Sequence, residues 1–371
     1  MTTTCTTDVR LTRVGRIDDG LAREIDRLAA SAAEPNPFYE SWCLRPALEH
    51  LATEPLELLT VRGAGDELIG LLPLTLRANF KRLPQRTLRS WIHEGVFLAT
   101  PLLHREHVHD AVGAILDWFA EGEASADVIE LVDIRVDGVV ADALATAMAQ
   151  RPQLLSRRTR WTRAIHRLDA PEEPEHMSAK QRSTLRRKAR RLAAEGAIGY
   201  RTLSDGDDAA PWIADFMAVE ASGWKGRSGT AMGVEQPRRD FLVAACHAAH
   251  ARGQLHMVAL EVDGRPIAMK CNFTSGPMAF TFKIAYDEAW SRHSPGVLLE
   301  LFQMRTLRHT HPHLQAVDSC TVADNTMFPN VWPGRCELGD FAILHNTLVN
   351  RLVLNQGERV HRLLKRRAVQ A

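Results

Sequence analysis

Residues 291–300, Ser-Arg-His-Ser-Pro-Gly-Val-Leu-Leu-Glu, combine side chains and backbone properties that suit an anion. Gly296 has no Cβ, so its backbone can approach a phosphate closely. Pro295 suits the first turn of a helix because it has no N–H to leave unpaired. Arg292 and His293 place positive charge beside these two residues. The chemistry that this stretch predicts is the binding of a phosphate or a similar anion.

The segments on either side of this loop indicate how it is positioned. Residues 278–286 alternate like a strand, and residues 297–307 show the apolar period of a helix. In a strand–loop–helix arrangement, the free N–H groups of the first helical turn and the positive end of the helix dipole face the loop. An ordinary strand-to-helix turn would have the same pattern, so this loop alone leaves both interpretations open.

Two carboxylates lie in segments where burial could give them a pKa suited to proton transfer. Glu220 lies on an apolar helix just before Trp224, and its alternative role is that of a solvated helix carboxylate. Asp318 ends an apolar strand, where sites of α/β proteins gather, and its alternative role is a turn cap. Both are candidate catalytic residues.

Lys283 and Tyr286 are the corresponding candidates in the strand at residues 278–286. A buried lysine is costly, so Lys283 either faces an open groove or forms an ion pair, with Asp287 or Glu288 as the partner. Tyr286 is one of only three tyrosines in the chain and could donate a proton through its hydroxyl.

Two groups of histidines resemble metal-binding sequences. We find neither a cysteine nor a glutamate at ligand spacing beside them, so exposed histidines are the favoured interpretation and no metal is expected. The two groups are His104, His107 and His109, and His309, His311 and His313.

The composition is that of a globular protein, with 371 residues, 45% of them hydrophobic and 25% charged. The formal net charge of +1 disfavours attraction of the whole molecule to nucleic acid or membrane. Six scattered cysteines without a Cys-x-x-Cys pair disfavour a zinc ribbon or a disulfide framework. No apolar stretch approaches the roughly 20 residues of a membrane span, and the start lacks the pattern of a signal peptide. The sequence therefore predicts a cytoplasmic protein without a nucleic-acid partner.

A breaker cluster at residues 171–175, Pro-Glu-Glu-Pro-Glu, divides the chain into two halves of similar pattern. Each half presents helices, a hairpin with an apolar inner strand, and then strand, helix and strand. This predicts a duplicated α/β (α+β) domain. The expected units are an N-terminal domain at residues 1–170, a basic linker helix at 171–197 and a C-terminal domain at 198–371. Only the last contains the anion loop.

The predicted linker helix carries a run of cations over residues 180–191. Leu185, Ala189 and Leu192 give it one apolar stripe, so it can pack between the domains. Its cations could hold an acidic partner such as RNA phosphates, although a run of this kind is more often a solvated face.

The second half resembles the GNAT acyltransferase superfamily. Within it, the chain is most similar to the tandem-GNAT group typified by CelD-like proteins and by relatives of the Fem-type ligases. The resemblance covers residues 178–335, and the N-terminal half matches only in pattern, through Gly-Leu-Leu-Pro-Leu at residues 70–74. It rests on the order and spacing of five pieces, at residues 185–192, 220–226, 285–288, 294–296 and 317–319.

The resemblance implies two tandem domains, each a mostly antiparallel twisted sheet flanked by helices, with acetyl-CoA or another acyl-CoA as co-substrate. Backbone N–H groups near residues 284–286 would face the thioester oxygen. The acidic partner of the basic helix at residues 180–191 could then be the 3′-phosphate of coenzyme A. The implied donor-binding residues are Ile284, Ala285, Arg292, His293, Ser294, Pro295, Gly296 and Val297. The implied catalytic residues are Glu220, Asp318, Tyr286 and Lys283, and the acceptor-side residues are Trp224, Lys225, Asn325 and Trp332.

The chain departs from the common pattern of the family at two places. The loop at residues 292–296 has fewer glycines than the usual pyrophosphate loop, and residues 321–334 lack the tyrosine that often protonates the departing thiolate.

The favoured function is an acyl-CoA-dependent N-acyltransferase, with acetyl as the expected group, acting on an amine of a small molecule, saccharide or peptide. The alternatives are a Fem-type transferase that uses aminoacyl-tRNA, with the basic helix as its RNA contact, and a non-catalytic scaffold that binds acyl-CoA.

Overall fold

The structure, a computed structural model, describes residues 7–81, 83–169, 177–322, 327–328, 331–352 and 354. Helices and strands alternate along these residues, as expected for a mixed α/β chain. The strands are β1 (Asp8–Val14), β2 (Leu56–Arg62), β3 (Leu68–Arg77), β4 (Thr87–Ser90), β5 (Leu102–Leu103), β6 (Val128–Arg135), β7 (Leu154–Arg167), β8 (Ile198–Thr202), β9 (Leu255–Val262), β10 (Arg265–Ser275), β11 (Met278–Tyr286), β12 (Ala316–Asp318) and β13 (Gly334–Leu344). The α-helices are α1 (Asp19–Ala30), α2 (Ser41–His50), α3 (Val108–Ala120), α4 (Val139–Met148), α5 (Ala179–Leu192), α6 (Ala209–Ser222), α7 (Trp224–Arg227), α8 (Gln236–His250) and α9 (Pro295–Thr310).

The described strands form one sheet of 13 strands, in the order β1-β2-β3-β4-β6-β13-β7-β12-β11-β10-β9-β8, with β5 paired to β3. Neighbours are antiparallel except at β4·β6 and β11·β12, which are parallel. The order reads alike from both edges, so the second half repeats the strand arrangement of the first. A mixed α/β fold with a mostly antiparallel sheet flanked by helices is thereby confirmed, although the two halves share one continuous sheet.

The two central strands are exchanged between the halves. β13, the last described strand, lies beside β6 of the N-terminal half, whereas β7 lies beside β12 of the C-terminal half. β7 and β13 also pair with each other over their length. Both halves thus contribute strands to the centre of the sheet, and the domain bounds drawn from the sequence stay a prediction.

The helices cover both faces of the sheet. The largest core cluster lies on the face that carries α1, α2, α6 and α8, and it joins residues of both halves. On the opposite face α3 and α4 cover the N-terminal half, while α9 and α5 cover the C-terminal half. Residues that alternate along one strand therefore point into different layers.

Local sequence explains the elements next to the anion loop. Asp263 (φ 50°) and Gly264 (φ 76°) join β9 to β10 as the two residues of a tight turn, which confirms the predicted hairpin. Ser178 and Gln181 form a capping box that begins α5.

A buried carboxylate, that of Glu40, connects the two halves on the face of α2 and α8. It accepts hydrogen bonds from Trp42 Nε1 at 2.7 Å and Gln254 Nε2 at 2.8 Å, and also from the Ser275 hydroxyl. All three donors are neutral. Burial raises the pKa of Glu40 above its usual value, although the three hydrogen bonds act in the opposite direction.

We expect Glu40→Gln to make the protein progressively more stable than wild type as the pH rises. A glutamate whose pKa is raised in the folded state stabilises the fold below its unfolded pKa, and this contribution is lost as the pH rises through the folded pKa. Glutamine keeps the shape and does not titrate. Urea unfolding at pH 5 and pH 8 measures the difference, with Glu121→Gln at the exposed end of α3 as control. An equal effect of Glu40→Gln at both pH values would contradict the expectation.

Among the described residues, the structure contains no helix with the length and apolar character needed to cross a bilayer.

Candidate functional site

The loop predicted from the sequence lies between β11 and α9. A 3-10 helix, Glu288–His293, follows β11, and Ser294 (φ 54°) takes a left-handed conformation before Pro295 opens α9. The helix begins two residues earlier than the apolar pattern indicates, because proline is well suited to the first position. The predicted strand–loop–helix arrangement is therefore present.

The side of Gly296 that lacks a Cβ faces the end of β11. A Cβ at this position would lie 3.6 Å from Met327 Sδ, 3.7 Å from Tyr286 Cδ1 and 3.9 Å from Ile284 Cδ1. The N–H groups of Val297 and Leu298 both donate to Ser294 O. Among the described residues, no acceptor is recorded for the N–H of Gly296. The sequence predicted several free N–H groups in the first turn of α9. Among the described contacts, the N–H of Gly296 is the one that remains free, and a free N–H at a helix N-terminus suits an anion.

The charged neighbours of the loop differ in part from those expected. Arg292 Nη2 lies 2.8 Å from Glu195 Oε1, so its charge is already paired, and His293 is only 2% exposed. The cation in direct contact with the loop is Lys188 of α5, whose Nζ donates to Ser294 Oγ at 2.6 Å. The basic helix therefore lies against the anion loop.

β11 has a free edge in front of this loop. It pairs with β12 only from Met278 to Phe280, and within the described chain no residue of β12 continues the ladder towards Tyr286. A bulge places Phe282 as an extra residue, because Cys271 pairs with Lys283 whereas Asn272 pairs with Thr281. The parallel strands thus separate towards the loop and leave backbone groups of β11 open on that side.

Glu220 and Lys225 lie at the other face of β11. Glu220 is 2% exposed; its Oε1 accepts from Lys225 Nζ at 3.0 Å and its Oε2 from Met232 N at 2.8 Å. Lys225 Nζ also donates to Ile284 O at 3.2 Å. Both carboxylate oxygens are therefore engaged, and the pair fixes the turn after α6 to the end of β11.

Lys283 lies on the same face and has a different environment. Its Nζ lies 5.2 Å from the ring centroid of Phe97 and 5.7 Å from that of Phe282. Asp287 and Glu288 instead contact Arg265 and Arg227, so the ion pair considered for Lys283 is not formed. Burial, and next the charge of Lys225, lower the pKa of Lys283.

Asp318 forms a buried ion pair. Its Oδ2 accepts from Arg163 Nη2 at 2.6 Å, with both side chains 1% exposed, and its Oδ1 accepts from Cys320 N at 2.9 Å. Arg163 in turn donates to Phe97 O at 2.5 Å. Asp318 thus supports the segment whose ring lies beside Lys283.

The other residues predicted to bind the acceptor do not lie together. Trp332 is 0% exposed and donates to Glu300 Oε1 at 3.1 Å, inside a cluster that includes the buried pair Lys270–Glu300 at 2.6 Å. Trp224 begins α7, beside Lys225. Asn325 falls outside the described residues. Of the donor-side residues, Ala285 is buried in the core on the face of Lys283, whereas Ile284 packs towards α9.

A histidine cluster at the start of α3 departs from the sequence analysis. His104, Glu106 and His107 bring their ligand atoms within 4.8 Å of one another, so the statement that no glutamate accompanies these histidines is wrong. Glu106 is exposed, and the Nδ1 atom of each histidine already has a partner, Glu106 N at 3.3 Å for His104 and Asp110 at 3.3 Å for His107. We assign no metal to this cluster.

Sequence reasoning considered Lys188 only as one of the run of cations at residues 180–191, and it did not identify Arg163 and Phe97 as parts of the site. Lys188 could have been identified from sequence, because it is adjacent to Ala189, and Ala189 belongs to the apolar stripe that packs α5 against the C-terminal half. Arg163 and Phe97 belong to the N-terminal half, and they reach the site only through the exchanged strand β7 and the loop that follows β4.

Comparison with known proteins agrees with this geometry. Residues 179–321 match the family model of an acetyltransferase (GNAT) domain, whereas none of the curated proteins matches the chain. Three solved structures resemble nearly the whole chain at 12% identity, and at this identity they show the fold alone. They are FemX (92% of this chain, 100% of that chain, TM-score 0.56), the C-terminal domain (DUF2156) of a putative lysylphosphatidylglycerol synthetase from Agrobacterium fabrum (91%, 95%, 0.56) and L-PGS from Bacillus licheniformis (96%, 99%, 0.53).

Proposed function

We propose, from the premise that residues 179–321 are a GNAT acetyltransferase domain, that the protein transfers an acyl group, with acetyl as the expected one, from acyl-CoA to an amine. The observation that carries the proposal is the joint position of the Gly296 loop and the free edge of β11. A phosphate held at the N-terminus of α9 would leave the attached chain to run along that edge. The thioester would then lie between the loop on one face and Lys283 on the other.

Few protein groups would be needed to bind the acyl-CoA donor. The N–H of Gly296, with Lys188 beside Ser294, suits a pyrophosphate. Open backbone N–H groups near residues 284–286 would stabilise the negative charge that develops on the carbonyl oxygen. Tyr286 contacts the Gly296 position and is 36% exposed, so its hydroxyl is our candidate to protonate the departing thiolate.

Lys283 is our candidate for the proton acceptor on the other face of β11. A new C–N bond forms as the C–S bond breaks, and the attacking amine must lose a proton. Glu220, the carboxylate favoured on sequence, has both oxygens engaged, and we assign it to holding Lys225. Lys283 has a lowered pKa, which makes its neutral form more accessible. A lysine in this state favours an enzyme over a non-catalytic scaffold.

We expect acetyl-CoA and free CoA to raise the melting temperature of the wild-type protein and not that of Gly296→Glu. A ligand that binds only the folded state stabilises it by mass action, and glutamate would place a bulky anion where the phosphates lie. Thermal shift at millimolar nucleotide measures both. Glu288→Gln, in the 3-10 helix before the loop, is the control and should respond like wild type. No shift of the wild-type protein with any CoA species would overturn the proposal.

A second candidate, a Fem-type transferase that uses aminoacyl-tRNA, is favoured by the basic helix against the loop. In that case tRNA would bind with submicromolar affinity at physiological salt, and binding would weaken steeply with added salt. Fluorescence anisotropy with labelled tRNA at two salt concentrations distinguishes this candidate from an acyl-CoA enzyme.

A further inference from the structure

Helix α5 carries positive charge that the described part of the protein does not neutralise. It has seven basic residues in 14, and no ion pair with a described carboxylate is recorded for any of them. Elsewhere in the described chain many arginines contact an acidic side chain, as Arg62 and Arg238 do. Helix α5 therefore stands out as a dense run of cations without such partners. The seven are Lys180, Arg182, Arg186, Arg187, Lys188, Arg190 and Arg191.

A cavity of about 250 Å³ lies between α5 and α9. Three arginines line it, Arg182 and Arg186 from α5 and Arg305 from α9, and no carboxylate of the described residues does. Tyr200 and Phe302 stack in its wall, with ring centroids 4.5 Å apart and an angle of 20° between the rings. A pocket that joins several guanidinium groups to an aromatic stack suits a ligand with a phosphate and a flat ring.

A second cavity, of about 320 Å³, links the first to the anion loop. Met177 and Leu185 line both cavities, and Val297, one residue after Gly296, lines the second. Space for a ligand therefore runs from the start of α9 along that helix to the three arginines. Lys188 holds α5 over this path through its bond with Ser294.

We propose that the cavity between α5 and α9 binds the 3′-phosphoadenosine end of coenzyme A. This inference rests on the proposed function, because it places the far end of the same donor. Arg182 and Arg186 bind the 3′-phosphate through charge-assisted hydrogen bonds. The adenine extends the stack of Tyr200 and Phe302. The loop around Gly296 holds the pyrophosphate, so α5 makes the protein selective for donors that carry the 3′-phosphate.

The test compares CoA with 3′-dephospho-CoA in isothermal titration calorimetry on the full chain. We expect wild type to bind CoA at least about tenfold more tightly, the size of one charge-assisted phosphate contact. Arg186→Glu should bind both ligands with the weaker affinity. Arg187→Glu is the matched control, since Arg187 is an exposed neighbour on the same helix, lines neither cavity and undergoes the same change of charge. It should keep the discrimination.

Three results would overturn the inference. Equal affinities of wild type for the two ligands would show that the 3′-phosphate is not bound, while leaving the proposed function intact. Equal losses in Arg186→Glu and Arg187→Glu would show a general electrostatic field and no site. Competition between tRNA and CoA without discrimination between the two CoA species would assign the cavity to RNA. Failure of wild type to bind either CoA species would instead overturn the proposed function itself.

Discussion

Replacing Lys283 with methionine should lower the rate of acyl transfer by about 10²–10⁴-fold while leaving the affinity for CoA unchanged. This is the usual contribution of a positioned proton acceptor. Methionine fills a similar volume between the rings of Phe97 and Phe282, so the fold should persist. The rate of CoA thiol release with an amine acceptor measures the effect. Wild-type activity should rise with pH through the lowered pKa of Lys283, and the variant should lose this dependence.

Lys283→Arg separates a proton acceptor from a mere positive charge. Arginine keeps the charge and stays protonated at every accessible pH, so it cannot accept the proton from the amine. The arginine variant should therefore be about as impaired as the methionine variant. Retention of wild-type activity by Lys283→Arg would contradict a role of Lys283 in proton transfer. It would indicate that Lys283 acts through its positive charge.

Asp318→Asn should destabilise the protein by about 3–5 kcal/mol, the usual cost of breaking a buried ion pair from one side. The substitution leaves Arg163 charged, 3% exposed as a residue, and without its carboxylate partner. Urea unfolding measures the loss. Activity per folded molecule should fall far less than in Lys283→Met, because both carboxylate oxygens of Asp318 are engaged, one by Arg163 and one by Cys320 N.

The double variant Asp318→Asn/Arg163→Met tests whether the role of Asp318 is structural. Removing both charges removes the desolvated cation, so most of the stability should return. A double variant as unstable as the single one would contradict the ion-pair explanation. A double variant that is stable but inactive would indicate that Asp318, or the loop that Arg163 supports, is needed for catalysis.

The elements that sequence predicts well here are those with a clear period or a clear turn. The strand at Met278–Tyr286, the hairpin at Asp263-Gly264 and the helix after Gly296 all follow the expected pattern. β13 is hard to predict, because it contains two glycines and glycine is depleted in strands. A Cβ on Gly339 would lie 2.1 Å from Arg158 O, so the glycine permits a close approach of two central strands. Helix α2 is hard to predict as well, because it carries a proline inside its span.

The candidate site likewise has features that a local sequence pattern predicts and features that it does not. The anion loop and the residues beside it are contiguous in sequence, so their arrangement could be predicted from the chain alone. The partners of buried charges are set by packing between distant segments, and no local pattern reports them. Asp318 is thus bound by Arg163, 155 positions away, and Glu220 has both oxygens occupied. A carboxylate in an apolar segment is a candidate for proton transfer only when its contacts leave an oxygen accessible.

The exchange of β7 and β13 has a consequence for how the chain is made. During synthesis the N-terminal half emerges first, yet the strand that completes its sheet beside β6 begins only at Gly334. Until β13 has been made, the edge of β6 therefore has no permanent neighbour, and an unpaired strand edge attracts other chains. The pairing that protects it joins residues about 200 positions apart, and contacts of such separation form slowly. The newly made protein should thus depend on chaperones until β13 has been synthesised and has paired with β6.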